Sequence, residues 1–369
     1  KAFQYHVMYK DVSDSSRREE VAKKLVQQQM QMEFNEKKAI SDIEQAKKDK
    51  QILEWEKQLT LDPKKDKIMF DLSTYYYKRG SSTQALDLIQ RAIKIKPGEG
   101  SYYNLLGEIY ANKYDWSNAL VAFKKACELD KSRKEYWGNV CYASEKTGLY
   151  KEAVEAGKRA LPKGNNKIYT SMAISYFYLE DYDSSIEFFK KALQGDSKNG
   201  ELFFRYAIAL QLRGSMKEAL ENYKKTIELM PELIDSYYYL GNTLITLGNY
   251  EESTKYFQKV LDMRSNYKSI YAPDFNETRV NLAQTLLEQG KTEKAIEHLD
   301  IVIKEDPLNA RAHLFKAYAY ENLKKIEDAR KEYLKTFSLI SNLPVEYSKQ
   351  TFLPYSDKTV FIPLDKPVI

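Results

Sequence analysis

The chain has 369 residues, with 58 Lys+Arg against 53 Asp+Glu and a formal charge of +5. Charged residues make up 30%, mean hydropathy is −0.62, and no apolar run approaches the ~18 residues of a membrane span. Gly (14) and Pro (10) are too scarce for an all-β chain of many turns or for a disordered linker, and the basic excess is too dispersed for the basic stripe that nucleic acid selects.

Residues 1–62 carry 12 basic and 12 acidic side chains and no Pro or Gly before Pro63. The pattern predicts a short helix over about 1–9 and a long one over 16–60. The second opens on Ser16-Arg17-Arg18-Glu19, which fits a capping box. Leu25, Met32, Ala39, Ala46 and Leu53 recur at seven-residue spacing, but Gln28, Asn35 and Asp42 spoil the second seam, so the heptad is half-formed. Gln51 to Leu59, before Asp62-Pro63, reads as a degenerate helix capping the C-terminal remainder of the chain.

From Asp66 the sequence repeats. Frames of 34 residues begin at Asp66, Gly100, Lys134, Asn166, Gly200, Ile234, Asn276 and Ala310; the third is two residues short and the sixth eight long. Position eight is small throughout: Ser73, Gly107, Cys141, Ala173, Ala207, Gly241, Ala283 and Ala317. Position twenty is Ala or Ser throughout: Ala85, Ala119, Ala153, Ser185, Ala219, Ser253, Ala295 and Ala329. Position twenty-four is large (Ile89, Phe123, Phe189, Tyr223, Phe257, Leu299, Tyr333) except at Gly157. Two antiparallel helices approach closely only where facing side chains are small. Gly at position fifteen (Gly80, Gly148, Gly214, Gly248, Gly290) ends the first helix, and Pro97, Pro231 and Pro307 end the second. One hairpin cannot bury its own apolar face; stacked neighbours can.

Tyr103-x-x-Leu106-Gly107-x-x-Tyr110 with Ala119, Phe123 and Ala126, and Tyr237-x-x-Leu240-Gly241 with Gly248, Tyr250 and Phe257, resemble the tetratricopeptide repeat. The resemblance runs from 66 to about 340. It implies an all-α, right-handed superhelical α-solenoid of about eight hairpins (residues 66–343), preceded by a long helical segment (1–62) and followed by an extended tail (344–369). It also implies that first helices line a concave groove through positions two, five, nine, twelve and thirteen. A clamp for a C-terminal carboxylate needs Lys at five and Asn at nine. Position five reads Phe70, Asn104, Gly138, Thr170, Phe204, Tyr238, Val280 and Leu314, and Asn appears at nine only as Asn242, so no clamp is expected. The groove instead offers Tyr142, Ile174, Phe177, Tyr178, Phe204, Ile208, Tyr238 and Tyr318, a mixed aromatic and aliphatic track. Exposure to a ligand is expected at positions five and nine; at twelve and thirteen, packing between hairpins is the competing reading.

Residues 9–50 also resemble the helical connector that accompanies such repeats in sensor proteins of the Bacteroidota, which would suggest a bacterial source. The chain starts without Met or a charged-then-apolar leader, which leaves export open, with the periplasm favoured over the cytoplasm as the expected compartment. The insertion around 267–274 reads as a tolerated loop or a helix extension. The tail holds the patches Thr351-Phe352-Leu353 and Thr359-Val360-Phe361-Ile362; it either covers the last apolar face of the array or docks on a partner. Cys127 and Cys141 read as core residues. His6, His298 and His313 are dispersed, and no metal-spacing, phosphate-loop or nucleophile motif is found. The expected function is therefore a non-catalytic scaffold without cofactor or metal, binding a protein or an apolar peptide segment. The competing reading is a sensory or assembly subunit of a larger bacterial membrane-associated machine, its groove occupied by its own tail. Oligomeric state stays open.

Overall fold

The computed structural model describes residues 2–161, 165–263 and 274–340, with side chains of the first helix described from Gln29 onward except at position 44. The loop expectation at 267–273 and the tail expectation at 344–369 lie outside the described residues. The chain divides into two compact units, residues 1–133 and 134–369. Among the described residues every regular element is a helix.

In the first unit, α1 (Ala2–Leu61) is followed by two hairpins, α2 (Asp66–Lys78) with α3 (Ser82–Ile95) and α4 (Gly100–Asn112) with α5 (Trp116–Leu129). The second unit holds six hairpins. They are α6 (Lys134–Lys146) with α7 (Tyr150–Ala160), α8 (Asn166–Tyr178) with α9 (Tyr182–Gly195), α10 (Gly200–Arg213) with α11 (Met216–Leu229), α12 (Ile234–Thr246) with α13 (Tyr250–Met263), α14 (Phe275–Glu288) with α15 (Thr292–Glu305), and α16 (Ala310–Asn322) with α17 (Ile326–Ile340).

The small columns meet face to face. Where one is serine, its hydroxyl donates to the carbonyl of the other: Ser73 to Ala85 (2.7 Å), Ser185 to Ala173 (2.8 Å) and Ser253 to Gly241 (2.8 Å). All sixteen positions are buried. The close approach admits a large side chain at twenty-four. A Cβ on Gly107 would lie 2.5 Å from the Phe123 ring, and one on Gly241 2.7 Å from the Phe257 ring. The exception at Gly157 has a physical cause. Its missing side chain is replaced from two sides, by Met172 of the next hairpin and by Cys141 at position eight, whose sulfur would stand 3.2 Å from a Cβ there. Both cysteines are buried thiols, and burial pushes Cys141 up to about 12.

Each first helix ends the same way. The residue at fifteen is left-handed, and the N–H of sixteen donates to the carbonyl of eleven, for example Ser215 to Leu210 (2.8 Å) and Lys325 to Tyr320 (2.8 Å). Gly fills the left-handed position five times; Tyr114, Glu180 and Lys324 take it at φ 59–62°. Asp115 and Asp181 then cap second helices through the N–H of Asn118 and Ser184.

The first helix departs from expectation. One helix runs from Ala2 to Leu61, about 90 Å, without the separate short helix or the start at Ser16. No Pro or Gly interrupts 9–16, and a Ser-x-x-Glu run is also compatible with a helix interior. Among the described side chains of α1, those of its last turns pack. Ile52 enters the core with Met69, Leu72 and Leu88, and the Tyr76 hydroxyl donates to Glu56 (2.6 Å). That bond raises Tyr76 to about 12. Residues 29–43 are exposed all round.

Candidate interaction face

All the residues expected to line the groove belong to the second unit, on α6, α8, α10, α12 and α16. At position nine Tyr142 and Tyr318 keep part of their surface in solvent, and the other three expected residues are a correction. Ile174 (8% exposed), Ile208 (7%) and Asn242 (3%) are buried and present no free face to a ligand. First helices of successive hairpins touch one another, α6 with α8, α10 with α12, α12 with α14 and α14 with α16, and position nine falls in that seam. Tyr142, Phe177, Tyr178, Phe204, Tyr238 and Tyr318 are half-buried.

These six rings do not form one track; they sit in four clusters. The Tyr142 ring lies 3.7 Å from Lys167 Nζ and 5.4 Å from Lys146 Nζ, a cation–π arrangement. Tyr178 stacks on Tyr150 (4.5 Å, 9°), and Phe177 meets Tyr178 and Tyr182 edge-on. Beside this pair the Glu145 carboxylate is buried, 3.3 Å from Lys146 Nζ. Burial raises its pKa against the opposing pull of Lys146, Arg205 and Ser171. Burial likewise raises Tyr178 and Tyr150, with Glu145 adding to both.

The third cluster joins α10, α11, α12 and α13. Phe204 meets Tyr239 (5.6 Å) and Tyr223 (6.0 Å), and Tyr239 meets Tyr238 (5.6 Å), whose ring reaches Phe257 (6.1 Å). Buried Tyr223 donates to Gln211 Oε1 (2.7 Å), which also accepts from Thr243 (3.3 Å). A second polar chain starts at Tyr238, whose hydroxyl accepts from Asn281 Nδ2 (3.4 Å). Asn281 donates to Asn242 Oδ1 (3.0 Å), and Asn281 Oδ1 accepts from Arg311 Nη2 (3.1 Å). Arg311 also forms an ion pair with Glu277. Tyr318 stands apart, edge-on to Phe315 and Tyr333 (both 5.9 Å).

Sequence reasoning misses Tyr239, Asn281 and Arg311. The run Tyr237-Tyr238-Tyr239 is visible in the sequence, but position six is not among the inner positions of the repeat. Asn281 stands at six and Arg311 at two of their frames. His313 is held between Glu332 (2.5 Å) and the Pro307 carbonyl (3.2 Å), a structural placement. Among the described residues no group of three or more His, Cys, Asp or Glu side chains is placed to hold a metal ion, and no helix is long and apolar enough to cross a membrane.

Comparison with known proteins agrees with this architecture. Tetratricopeptide repeat profiles match residues 70–134, 167–199, 232–300 and 280–337, together more than half of the chain. The chain is 30% identical over 191 residues to TPR repeat-containing protein MJ1428 of Methanocaldococcus jannaschii, covering 50% of this chain and 31% of that protein. It is 23% identical over 222 residues to the human protein O-mannosyl-transferase TMTC1, covering 58% of this chain and 24% of that protein. The chain thus spans a third or less of the length of these two relatives. Among solved structures, the C-terminal part of a TPR repeat-containing protein from Cytophaga hutchinsonii superposes with a TM-score of 0.53 at 15% identity, covering 66% of this chain and 97% of that one. With the paired small columns, the left-handed turn at fifteen and these matches, the chain belongs to the tetratricopeptide repeat family.

Proposed function

We propose that the chain is a non-catalytic scaffold whose first-helix face, over α8 to α12, binds an apolar segment of a partner protein. The observation that carries this reading is the paired arrangement of half-buried rings: Phe177 and Tyr178 on α8, then Phe204, Tyr238 and Tyr239 on α10 and α12. Each ring is fixed by a ring neighbour and keeps part of its surface in solvent, so binding costs little side-chain entropy. Large, rigid aromatic area is what interface hot spots use. Tyr142 and Tyr318 belong to separate clusters and would extend the contact at either end. Asn242 would act indirectly, holding Asn281 and, through it, Arg311. Ile174 and Ile208 would support the helix seam.

The test is selection of displayed peptides on the intact chain, followed by fluorescence anisotropy with the enriched sequences. Tyr178→Ala and Phe204→Ala should each weaken binding by about ten- to thirty-fold, the ~1.4–2 kcal/mol expected of an aromatic anchor. Unchanged affinity in both would remove this face from the mechanism.

A second reading, as an assembly subunit, is favoured by α1. Residues 29–43 expose Met30, Met32, Phe34, Ile40 and Ile43 to solvent. A mass above that of one chain in light scattering, returning to one chain with Ile40→Asp/Ile43→Asp, would favour it; a monomer throughout would not.

A further inference from the structure

Two columns of the repeat behave differently in the last hairpin. Position twenty-eight is apolar in every frame: Ile93, Cys127, Leu161, Leu193, Ile227, Leu261, Ile303 and Phe337. In the first seven frames it is buried or half-buried, whereas Phe337 is 65% exposed. Position twenty-five is polar in the first seven frames: Gln90, Lys124, Lys158, Lys190, Lys224, Gln258 and Asp300. In the last it is Leu334, 62% exposed. A polar column of seven units thus turns apolar in the last described unit, whose outer face no described element covers. Adjacent turns of α17 place Leu334 and Phe337 side by side. Paired exposed apolar groups of this kind mark a surface that something covers.

We propose that this end face is covered by the chain's own segment 351–362, which would act as a C-terminal cap. That segment starts close to the face along the chain and carries apolar side chains that fit it. Ten residues separate it from Ile340, the last residue of the open helix. Leu334 lies six residues back along α17, about 9 Å. Ten extended residues reach about 33 Å, several times that distance. The segment carries Phe352-Leu353 and Val360-Phe361-Ile362, enough apolar surface for a two-residue patch. A ninth frame would begin at residue 344, where Pro344 stands in place of a helical repeat pattern, so the cap would occupy the place of a next first helix. The inference is independent of the groove reading. It also places the tail away from the aromatic face, which stays free for a partner.

The test uses the full-length chain. Cys127 and Cys141 are buried, so added thiols react with each other. Phe337→Cys/Phe352→Cys and Tyr178→Cys/Phe352→Cys are oxidised under mild conditions and read by intact mass and non-reducing gel. A bridge within one chain for the first pair and none for the second is the expected result. A bridge for the Tyr178 pair would put the tail in the groove. A bridge between chains would make the occupant a second copy. No bridge in either pair would leave the face uncovered by the tail. Any of these three results overturns the proposal. Thermal melts supply a second readout: Phe337→Glu and Phe352→Ser/Leu353→Ser should each lower Tm, and their combination should lower it no further than the larger single effect. Additive shifts would count against a shared contact.

Discussion

Residues 29–43 of α1 and the α12/α13 hairpin are both helical, yet they are helical for different reasons. In residues 29–43 of α1 the side chains face water on every side, and stabilisation comes from local pairs such as Gln31 with Asn35. In α12/α13, Gly241 lets the Phe257 ring lie against the opposing backbone, Ser253 bonds across to the Gly241 carbonyl, and Phe257, Leu240 and Leu244 are fully buried. The first is a product of composition, the second of packing. Perturbations should therefore propagate in the hairpins and stay local in α1.

The largest effect should come from filling a small column. Gly241→Leu drives a branched side chain into a ring that has nowhere to go and should destabilise by ~1–3 kcal/mol or more, read as a fall in Tm or urea midpoint. Gly107→Leu against Phe123 should match it; melts equal to the parent would show that the columns do not set helix spacing. Gly157→Ala sharpens the point. Its new Cβ meets the flexible Met172 side chain rather than a ring, so the cost should be smaller, about 1 kcal/mol. Ser253→Ala removes one buried donor and should cost ~1 kcal/mol. Glu145→Gln tests the charge beside the Tyr150/Tyr178 pair. Because burial raises this carboxyl above its ordinary value near 4.5, the folded state binds the proton more tightly than the unfolded one. Stability from this group is thus full below pH 4.5 and lost as pH rises through the folded pKa. The Gln variant should be more stable than the parent at neutral pH, with the difference vanishing near pH ~4. Smallest of all, Ile40→Pro should lower total helical signal while leaving the hairpin melt unchanged.

The columns are legible in the sequence because hard-sphere contact leaves no alternative: a small residue at eight faces a small residue at twenty in every frame. The turn at fifteen is legible at the five glycines and hidden at Tyr114, Glu180 and Lys324. There the hydrogen bond from sixteen to eleven holds a non-Gly residue left-handed, with Tyr114 82% exposed and free of steric conflict. The inner face is legible in part. Frame position marks Phe204 and Tyr238 as inward-pointing. It does not show how closely neighbouring first helices pack, and that spacing buries Ile174, Ile208 and Asn242. The expected break in α1 is absent because a Ser-rich run without Pro or Gly does not stop a helix.

Amide hydrogen exchange with mass-spectrometric detection tests the central contrast most directly. If packing rather than composition holds the hairpins, peptides from 29–43 should exchange within seconds. Peptides from α12 and α13 should be protected by several orders of magnitude, and Gly241→Leu should erase that protection without changing α1. Protection of 29–43 equal to that of α12 would contradict the account, since it would require a packing partner for α1.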